Sequence, residues 1–589
     1  MVHQPTRTAP VDDRQQAAGG AAEAPGTALS GTTAGPTVRD ATFEVLRQHG
    51  MTTIFGNPGS TELPFLTGFP EDFRYVLGLH EGSVVGMAVG FAQATRGPVA
   101  VNLHTAAGLG NSMGALVTAW HNRAPLVLIV GQQARQHLAL QPFLAGGQLD
   151  RMAEPFAKST VTPIRPEDVP GAVAQAVAVA TAEPTGPAVV VVPMDDWEVH
   201  LATLPAPHRV LHGGELPDSV IAELAGRIDR AHNPVVVAGA GVDRAGAWSG
   251  AVALAQRLGA PVWQEPMAAR FGFPQDHPLY AGMLPPSRRE LRGHLEGHDL
   301  VLVLGAPVFR YYLPETGPML PDGCAVIQIT SDQDEASRTP VGLSVVARLD
   351  TTLSRLATTV TARTWAPANR AGQTSPTSHS GQTSPAGHSG TGTGLAADGG
   401  AAVGSPGGVT PKQVVAVLKD LVPPHAVVVE ECPSVRPLLD ADLPTTVQGG
   451  WSATGGGWLG YGLSGAVGLA MGDPGRPVVC VAGDGSTVFG LQALWSAARY
   501  QVPLVFCVLV NEQYGVLVGQ TRRYDDGERI PGTTLPGLDI SSLARGFGVE
   551  PVRVADRASL AAALRSALSR LDSAGHHAGP ALIEVQLAT

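Results

Sequence analysis

The sequence predicts an α/β protein built from three doubly wound, parallel-sheet domains in tandem. Three observations lead there. Short, continuous apolar runs recur along the chain, each long enough for a buried strand. Helical patterns separate them, the alternation that parallel sheets require. And 589 residues exceed what a single hydrophobic core serves.

Taken in order, the first 36 residues hold no apolar h-region and read as a disordered tail rather than a secretory signal. Residues 37–206 make the first domain, with strands expected at 98–104 (PVAVNLH), 125–131 (PLVLIVG) and 187–193 (PAVVVVP). A Pro-rich stretch from Thr203 to Pro217 separates it from a central domain at 214–365, with strands at 234–241, 299–305 and 325–330. Residues 366–408, in which GQTSP recurs among Gly and Ser, are expected to be a flexible tether. The third domain, 409–589, carries strands at 426–431, 477–485, 503–511 and 581–587.

Bulk properties exclude several function classes. Lys and Arg total 39 against 50 Asp and Glu, a formal charge of −11, without a dense basic patch. A nucleic-acid partner is therefore not expected. No stretch approaches the roughly 20 apolar residues that span a bilayer. Cys324, Cys432, Cys480 and Cys507 are scattered without CxxC spacing, so no disulfide framework is expected and a reducing cytoplasm fits.

One segment carries most of the chemical information. Gly483-Asp484-Gly485-Ser486 ends an apolar strand, and Asn511 ends the next, with 25 residues between Gly485 and Asn511. Glycines allow close backbone approach to a diphosphate, and Asp484 and Asn511 offer the oxygen ligands that Mg²⁺ prefers. Two adjacent strand ends put such a site at the carboxyl edge of a sheet, where open α/β sheets bind ligands. Alone, Gly-Asp-Gly is a strand-to-helix turn; with the spaced Asn it resembles the signature of thiamine-diphosphate-dependent enzymes. A second Gly-rich turn, Gly239-Ala240-Gly241-Val242-Asp243-Arg244, places Arg244 where a dinucleotide fingerprint needs its third glycine, so a nicotinamide enzyme is only a weak alternative.

The resemblance extends over roughly residues 37–588, apart from the tether, and is to benzoylformate decarboxylases. It rests on Gly56-Asn57-Pro58-Gly59-Ser60-Thr61-Glu62-Leu63-Pro64-Phe65, on the run from Tyr75 through His80-Glu81 to Ala88, and on Asn102-Leu103-His104-Thr105-Ala106-Ala107-Gly108. Gly131-Gln132-Gln133, residues 187–197 and the stretch from Leu304 to Tyr311 (LGAPVFRY) add to it. The family implies pyrimidine-binding, middle Rossmann-like and diphosphate-binding domains, in that order. It implies thiamine diphosphate and Mg²⁺ as cofactors, with Asp484, Asn511 and the carbonyl of Gln513 as metal ligands. Gly483, Gly485, Ser486 and, more weakly, Ser434 would contact the cofactor, and Leu459 would prop its two rings in a bent conformation.

Carried over in the same way, Glu81 would face N1′ of the aminopyrimidine and Ser60 would hold the substrate carboxylate. His104 and His277 would handle protons, work that a near-neutral pKa suits. Each has a blander reading: Ser60 as a turn residue after Pro-Gly, His277 as a loop histidine before proline, Glu81 as a helix-start carboxylate and Leu459 as a core leucine. The expected reaction is decarboxylation of a 2-oxo acid to an aldehyde and CO2, a carbon–carbon lyase activity. Glu81 meets the diphosphate motif of another subunit in this family, which implies at least a homodimer and a homotetramer as the usual form.

The sequence departs from the family at three places. Pro433 replaces a threonine expected to give a hydroxyl contact. Gly519 and Gln520, followed by TRRYDDGERI, stand where the family carries aromatic residues beside the substrate. The tether is the third departure, and it costs little between domains. Two other functions stay open: a carboligase of the acetohydroxyacid synthase kind, disfavoured by His104 and His277, and a non-catalytic cofactor-binding paralogue, disfavoured by intact Glu81, Asp484 and Asn511.

Overall fold

The computed structural model describes residues 35–588 except 205, 207–209, 211–212, 313, 365–407, 522–529 and 573–578. The expected tail and tether, and most of TRRYDDGERI, therefore lie outside the described residues.

Three six-stranded parallel sheets follow one another along the chain. The first contains β1 (Thr53–Asn57), β2 (Arg74–Leu77), β3 (Val99–Leu103), β4 (Leu126–Gln132), β5 (Ser159–Val161) and β6 (Ala188–Pro193), in spatial order β2-β1-β3-β4-β6-β5. The second contains β7 (Pro234–Ala238), β8 (Val262–Gln264), β9 (Tyr280–Met283), β10 (Leu300–Leu304), β11 (Ala325–Thr330) and β12 (Leu343–Val346), ordered β12-β11-β10-β7-β8-β9. The third contains β13 (Val427–Glu431), β14 (Trp451–Ala453), β15 (Val478–Gly483), β16 (Val505–Val510), β17 (Pro551–Val554) and β18 (Ala581–Gln586), ordered β14-β13-β15-β16-β18-β17. First and third sheets share one winding, with strands of equal rank in equal places.

The reason these segments form interior strands is their composition. β3, β4, β6, β7, β10 and β16 are Val- and Leu-rich and buried along their whole length, as strands covered by helices on both faces must be. All ten strands expected from apolar runs are present. The Gly239–Arg244 turn is tied to the end of β10: Gly239 N–H donates to Leu304 O (2.9 Å) and Gly241 N–H to Gly305 O (2.8 Å). That account of the turn needs no dinucleotide. Among the described residues no helix is long and apolar enough to cross a membrane.

The first and third sheets are joined by two Gly-rich helices, Glu81–Thr95 and Tyr461–Gly472, buried almost all round. Here the backbones themselves touch. A Cβ on Gly90 would fall 2.0 Å from Gly465 O, and one on Gly468 would fall 1.9 Å from Met87 O. Side chains are excluded from this contact, so it tolerates no added methyl without helix separation.

Gly468→Ala is thus expected to lower the thermal midpoint sharply, by an overpacking cost of about 3 kcal/mol. Gly171→Ala is the matched control, since its Cβ would meet nothing within 4 Å on an exposed helix face. It is expected to raise the midpoint by about 0.5–1 kcal/mol of helix stabilisation. Equal effects of the two, followed by thermal unfolding, would contradict the packing.

Candidate active site

β1 and β3 are parallel neighbours with Asn57 opposite Leu103, so both chains leave the sheet at the same edge. This puts the turn Pro58–Glu62 against His104, the residue just beyond β3. Glu62 is the hub of the turn. It is 1% exposed and accepts from the Gly59 N–H (2.7 Å), the Thr61 hydroxyl (2.6 Å) and His104 Nδ1 (2.9 Å). A carboxylate only accepts, so Nδ1 is the donor in this pair and Nε2 is the ring nitrogen turned away from Glu62. The Thr61 oxygen also lies 3.0 Å from Nδ1. Thr105, next to His104, is β-branched yet has φ of +42°, a strained conformation held at the site.

Glu81 opens the Glu81–Thr95 helix and is oriented by two amides. Asn57 Nδ2 donates to its Oε1 (3.1 Å) and Asn111 Nδ2 to its Oε2 (3.0 Å). Glu81 and His104 flank Gly108: a Cβ there would lie 3.4 Å from Glu81 Cγ and 3.6 Å from His104 Cβ. Ser60, adjacent to Gly59, is exposed, and its hydroxyl has no hydrogen-bond partner among the described residues. Ser60, His104 and Glu81 therefore share one sheet edge, together with Glu62, Asn57 and Asn111, to which the sequence alone had given no role.

The third sheet builds a second cluster by the same logic. Gly483 on β15 is in register with Leu509 on β16, which sets Asp484 beside Asn511. Asp484 Oδ1 accepts from Gly485 N–H (2.8 Å), and Oδ2 from Asn511 N–H (3.1 Å) and Glu512 N–H (2.7 Å). Burial pushes this carboxyl above its ordinary range, while the three backbone N–H groups pull it down. Asp484 has no cationic side-chain partner among the described residues. Asn511 Oδ1 accepts from Gln513 N–H (3.3 Å), and Gln513 O accepts from Gly515 N–H (3.0 Å), leaving that carbonyl its second lone pair. Ser434 lies alongside: a Cβ on Gly515 would be 3.1 Å from Asn511 Nδ2 and 3.3 Å from Ser434 Cβ. Ser486 is buried, and a Cβ on Gly483 would rest in ordinary contact, 3.8 Å from Cys432 Sγ and 4.0 Å from Ser486 Oγ.

Leu459 is half-buried in the turn before the Tyr461–Gly472 helix. That turn is fixed by Glu431 at the end of β13, which accepts from Gly460 N–H (3.1 Å) and Tyr461 N–H (3.0 Å). Burial raises the Glu431 carboxyl to about 8 despite those bonds.

His277 stands elsewhere, in the loop between β8 and β9. Its Nδ1 accepts from Leu279 N–H (3.2 Å), its Nε2 pairs with the Gln256 amide (3.0 Å), and Phe273 packs edge-on at 5.1 Å. The neighbouring Gln275 ties this loop to the third domain through Thr445 and Asp440. The structure does not bring His277 into the Glu62–His104 cluster. Nor does any hydrogen bond or ion pair join the first cluster to the Asp484 cluster among the described residues.

Family models match along the chain: the thiamine pyrophosphate enzyme N-terminal TPP-binding domain at residues 36–145, the central domain at 221–356 and the C-terminal TPP-binding domain at 440–585. A benzoylformate decarboxylase of Pseudomonas aeruginosa is 41% identical over 94% of this chain and 99% of its own. The chain belongs to the thiamine-diphosphate-dependent enzyme family, and within it resembles benzoylformate decarboxylase. The solved structure of a thiamine-diphosphate-dependent 4-hydroxybenzoylformate decarboxylase from Rhodococcus jostii superposes with a TM-score of 0.84 at 38% identity, covering 94% of this chain and 99% of that one. An acetolactate synthase large subunit of Parasynechococcus marenigrum is 27% identical over 89% of this chain and 85% of its own.

The raised Glu431 carboxyl sets a pH signature. Folded, it holds a proton up to about pH 8; unfolded, it releases it near pH ~4.3. Its contribution is full below the unfolded value and is lost as pH rises through the folded one. Glu431→Gln, which cannot ionise, is expected to lose less stability than wild type between pH 5 and pH 8. Parallel profiles of thermal midpoint against pH would contradict that assignment.

Proposed function

We propose that this enzyme decarboxylates an aryl 2-oxo acid to an aldehyde and CO2, using thiamine diphosphate with Mg²⁺. The observation that carries the reading is the pair of buried Glu62 and half-buried His104, set beside Glu81 and an exposed Ser60 at one sheet edge.

The residues present fit the cofactor. Asp484 is a buried carboxylate without a cationic side-chain partner among the described residues. Among the described residues no group of three or more His, Cys, Asp or Glu could hold a metal. A metal here would be held by the Asp484 carboxylate, the Asn511 amide oxygen and the Gln513 carbonyl, an all-oxygen set that suits Mg²⁺. Bound there, thiamine diphosphate supplies an electron sink for the pair left when the carbon–carboxylate bond breaks.

The chain's own groups do the rest. Ser60 donates its hydroxyl to the substrate carboxylate. His104 Nε2 takes and returns protons, its ring oriented through Nδ1 by Glu62. Glu81, held by Asn57 and Asn111, presents its carboxyl to N1′ of the aminopyrimidine. Leu459, Ser434, Gly483, Gly485 and Ser486 border the cofactor. His277 is kept as a second proton carrier, one that a second copy of the chain would bring to the site.

Gly519 and Gln520 bear on the substrate. Gln520 Nε2 donates to the Tyr312 hydroxyl at 3.4 Å, which puts two polar tips where the family has an aromatic wall. We take 4-hydroxybenzoylformate alongside benzoylformate as the substrates this wall favours. Exposed apolar side chains flank both clusters, Leu63 and Leu79 at the first and Trp458, Phe489 and Leu517 at the second. Their positions support a homo-oligomer, a dimer at the least, in which a second copy covers them. The carboligase alternative has weaker support, 27% identity against 41%.

Purified enzyme mixed with thiamine diphosphate, Mg²⁺ and either aryl 2-oxo acid is expected to release the aldehyde. His104→Ala should lower kcat/KM by about 100-fold or more with cofactor affinity unchanged. Glu62→Gln should lower it less, and Glu81→Ala should abolish turnover. Unaltered aldehyde release from His104→Ala sinks the proton-handling role, and a coupled hydroxyketone in place of aldehyde moves the enzyme to the carboligases.

A further inference from the structure

A cavity of about 130 Å³ lies where segments of all three domains meet, and none of its lining residues belongs to the clusters above. Gln93 and Arg96 reach it from the C-terminal end of the Glu81–Thr95 helix. Asp473 caps the Tyr461–Gly472 helix beside it, Arg476 follows, and Arg270 comes from the loop after β8.

The polar groups around this space are unevenly satisfied. Arg270 is paired with buried Asp243 at 2.5 Å, and Asp243 also accepts from Gly449 N–H at 2.8 Å. Arg476 gives Nε to His425 O (2.5 Å) and Nη1 to Gln448 O (3.3 Å), but its Nη2 is buried without a partner. Gln93 Oε1 accepts from the Ser452 hydroxyl (2.9 Å), while its Nε2 is also buried without a partner. Arg96, on a left-handed residue with φ of +54°, makes no ion pair among the described residues. Three guanidiniums thus face two carboxylates, Asp243 and Asp473, and two buried N–H groups lack acceptors. A buried donor left unmet loses its hydration without regaining a hydrogen bond. Burial, opposed by Asp473 and Asp243 and assisted by Arg96 and Arg270, holds the Arg476 guanidinium below its usual range.

We propose that this junction cavity binds a small oxyanion, with Arg476 Nη2 and Gln93 Nε2 as hydrogen-bond donors and Arg96 supplying the unpaired charge. An anion there satisfies both donors and balances the extra guanidinium in one step. It also clamps together the C-terminal ends of the two helices whose first residues begin at Glu81 and at the Leu459 turn. A 15-residue helix rises 1.5 Å per residue, so the clamp acts about 20 Å from Glu81.

The test uses the holoenzyme, saturated with thiamine diphosphate and Mg²⁺ so that the diphosphate site is filled. Inorganic phosphate is titrated at constant ionic strength while the thermal midpoint is followed. The expected result is a saturable rise, with an apparent Kd weakened about tenfold or more in Arg96→Gln and in Arg476→Gln. Arg476→Gln loses backbone ties as well as the donor, so Arg96→Gln, exposed and unpaired, is the decisive variant. Acetate in a second series separates the ligand classes: saturation by phosphate alone assigns a tetrahedral ion, saturation by both any small oxyanion. A rise that is linear and equal in wild type and Arg96→Gln is general salt exclusion and overturns the proposal. So does no rise at all, which leaves the cavity to water.

Discussion

Backbone-to-backbone contact between the Glu81–Thr95 and Tyr461–Gly472 helices is the constraint from which the rest of the molecule is hung. Each helix begins at chemistry, one with Glu81 and the other with the turn that carries Leu459. Each ends at the three-domain junction. Gly86, Gly90, Gly465 and Gly468 remove the side chains that would hold the two axes apart, so main chain meets main chain with no compliant layer between them. Close-packed interiors respond to displacement by moving as units. Domain placement, the position of Glu81 and the pose of the Leu459 turn are consequently one variable rather than three.

Buried carboxylates at strand ends form the second unifying element. Glu62, Glu431 and Asp484 all sit at or just beyond a strand's carboxyl end, are almost wholly buried, and accept from backbone N–H groups. Each does something different with what remains. Glu62 orients an imidazole, Glu431 fixes a helix start and Asp484 is left with oxygens facing a space that suits a metal. The difference comes from the neighbours: His104 at 2.9 Å in the first case, backbone alone in the second, and the asparagine ending the next strand in the third.

How much of this could be read from the sequence follows from where each strand sits. The ten expected strands are interior ones, each with an apolar run because helices cover both faces. The eight that the apolar runs did not reveal are the six sheet edges plus β1 and β8. β12 and β17 have exposed positions, and β8 and β14 are three residues long, so none shows a continuous run. β1 is interior but is broken by Gly56 and Asn57, residues kept for the site. Asp484 and Asn511 were legible because Gly-Asp-Gly and the spaced Asn form a fixed-spacing motif. Glu62, Asn57, Asn111 and Glu431 were not, because their roles arise from pairings 24 to 42 residues apart that only the sheet brings together. Gly86 and Gly90, one helical turn apart, were the sequence signal of the helix contact. His277 illustrates the converse, a residue matched by motif that the structure holds in local bonds away from His104.

We propose that the Glu81 cluster of one copy and the Asp484 cluster of another make one catalytic centre; no hydrogen bond or ion pair joins the two clusters among the described residues, and exposed Trp458, Phe489 and Leu79 lie beside them. The most direct measurement mixes two inactive variants, Glu81→Gln and Asp484→Asn, under conditions of subunit exchange, and assays aldehyde release. Mixed dimers then hold one site with both lesions and one with neither, so activity should recover to about a quarter of wild type. If exchange is verified and the mixture stays silent, each chain completes its own site and the account is wrong.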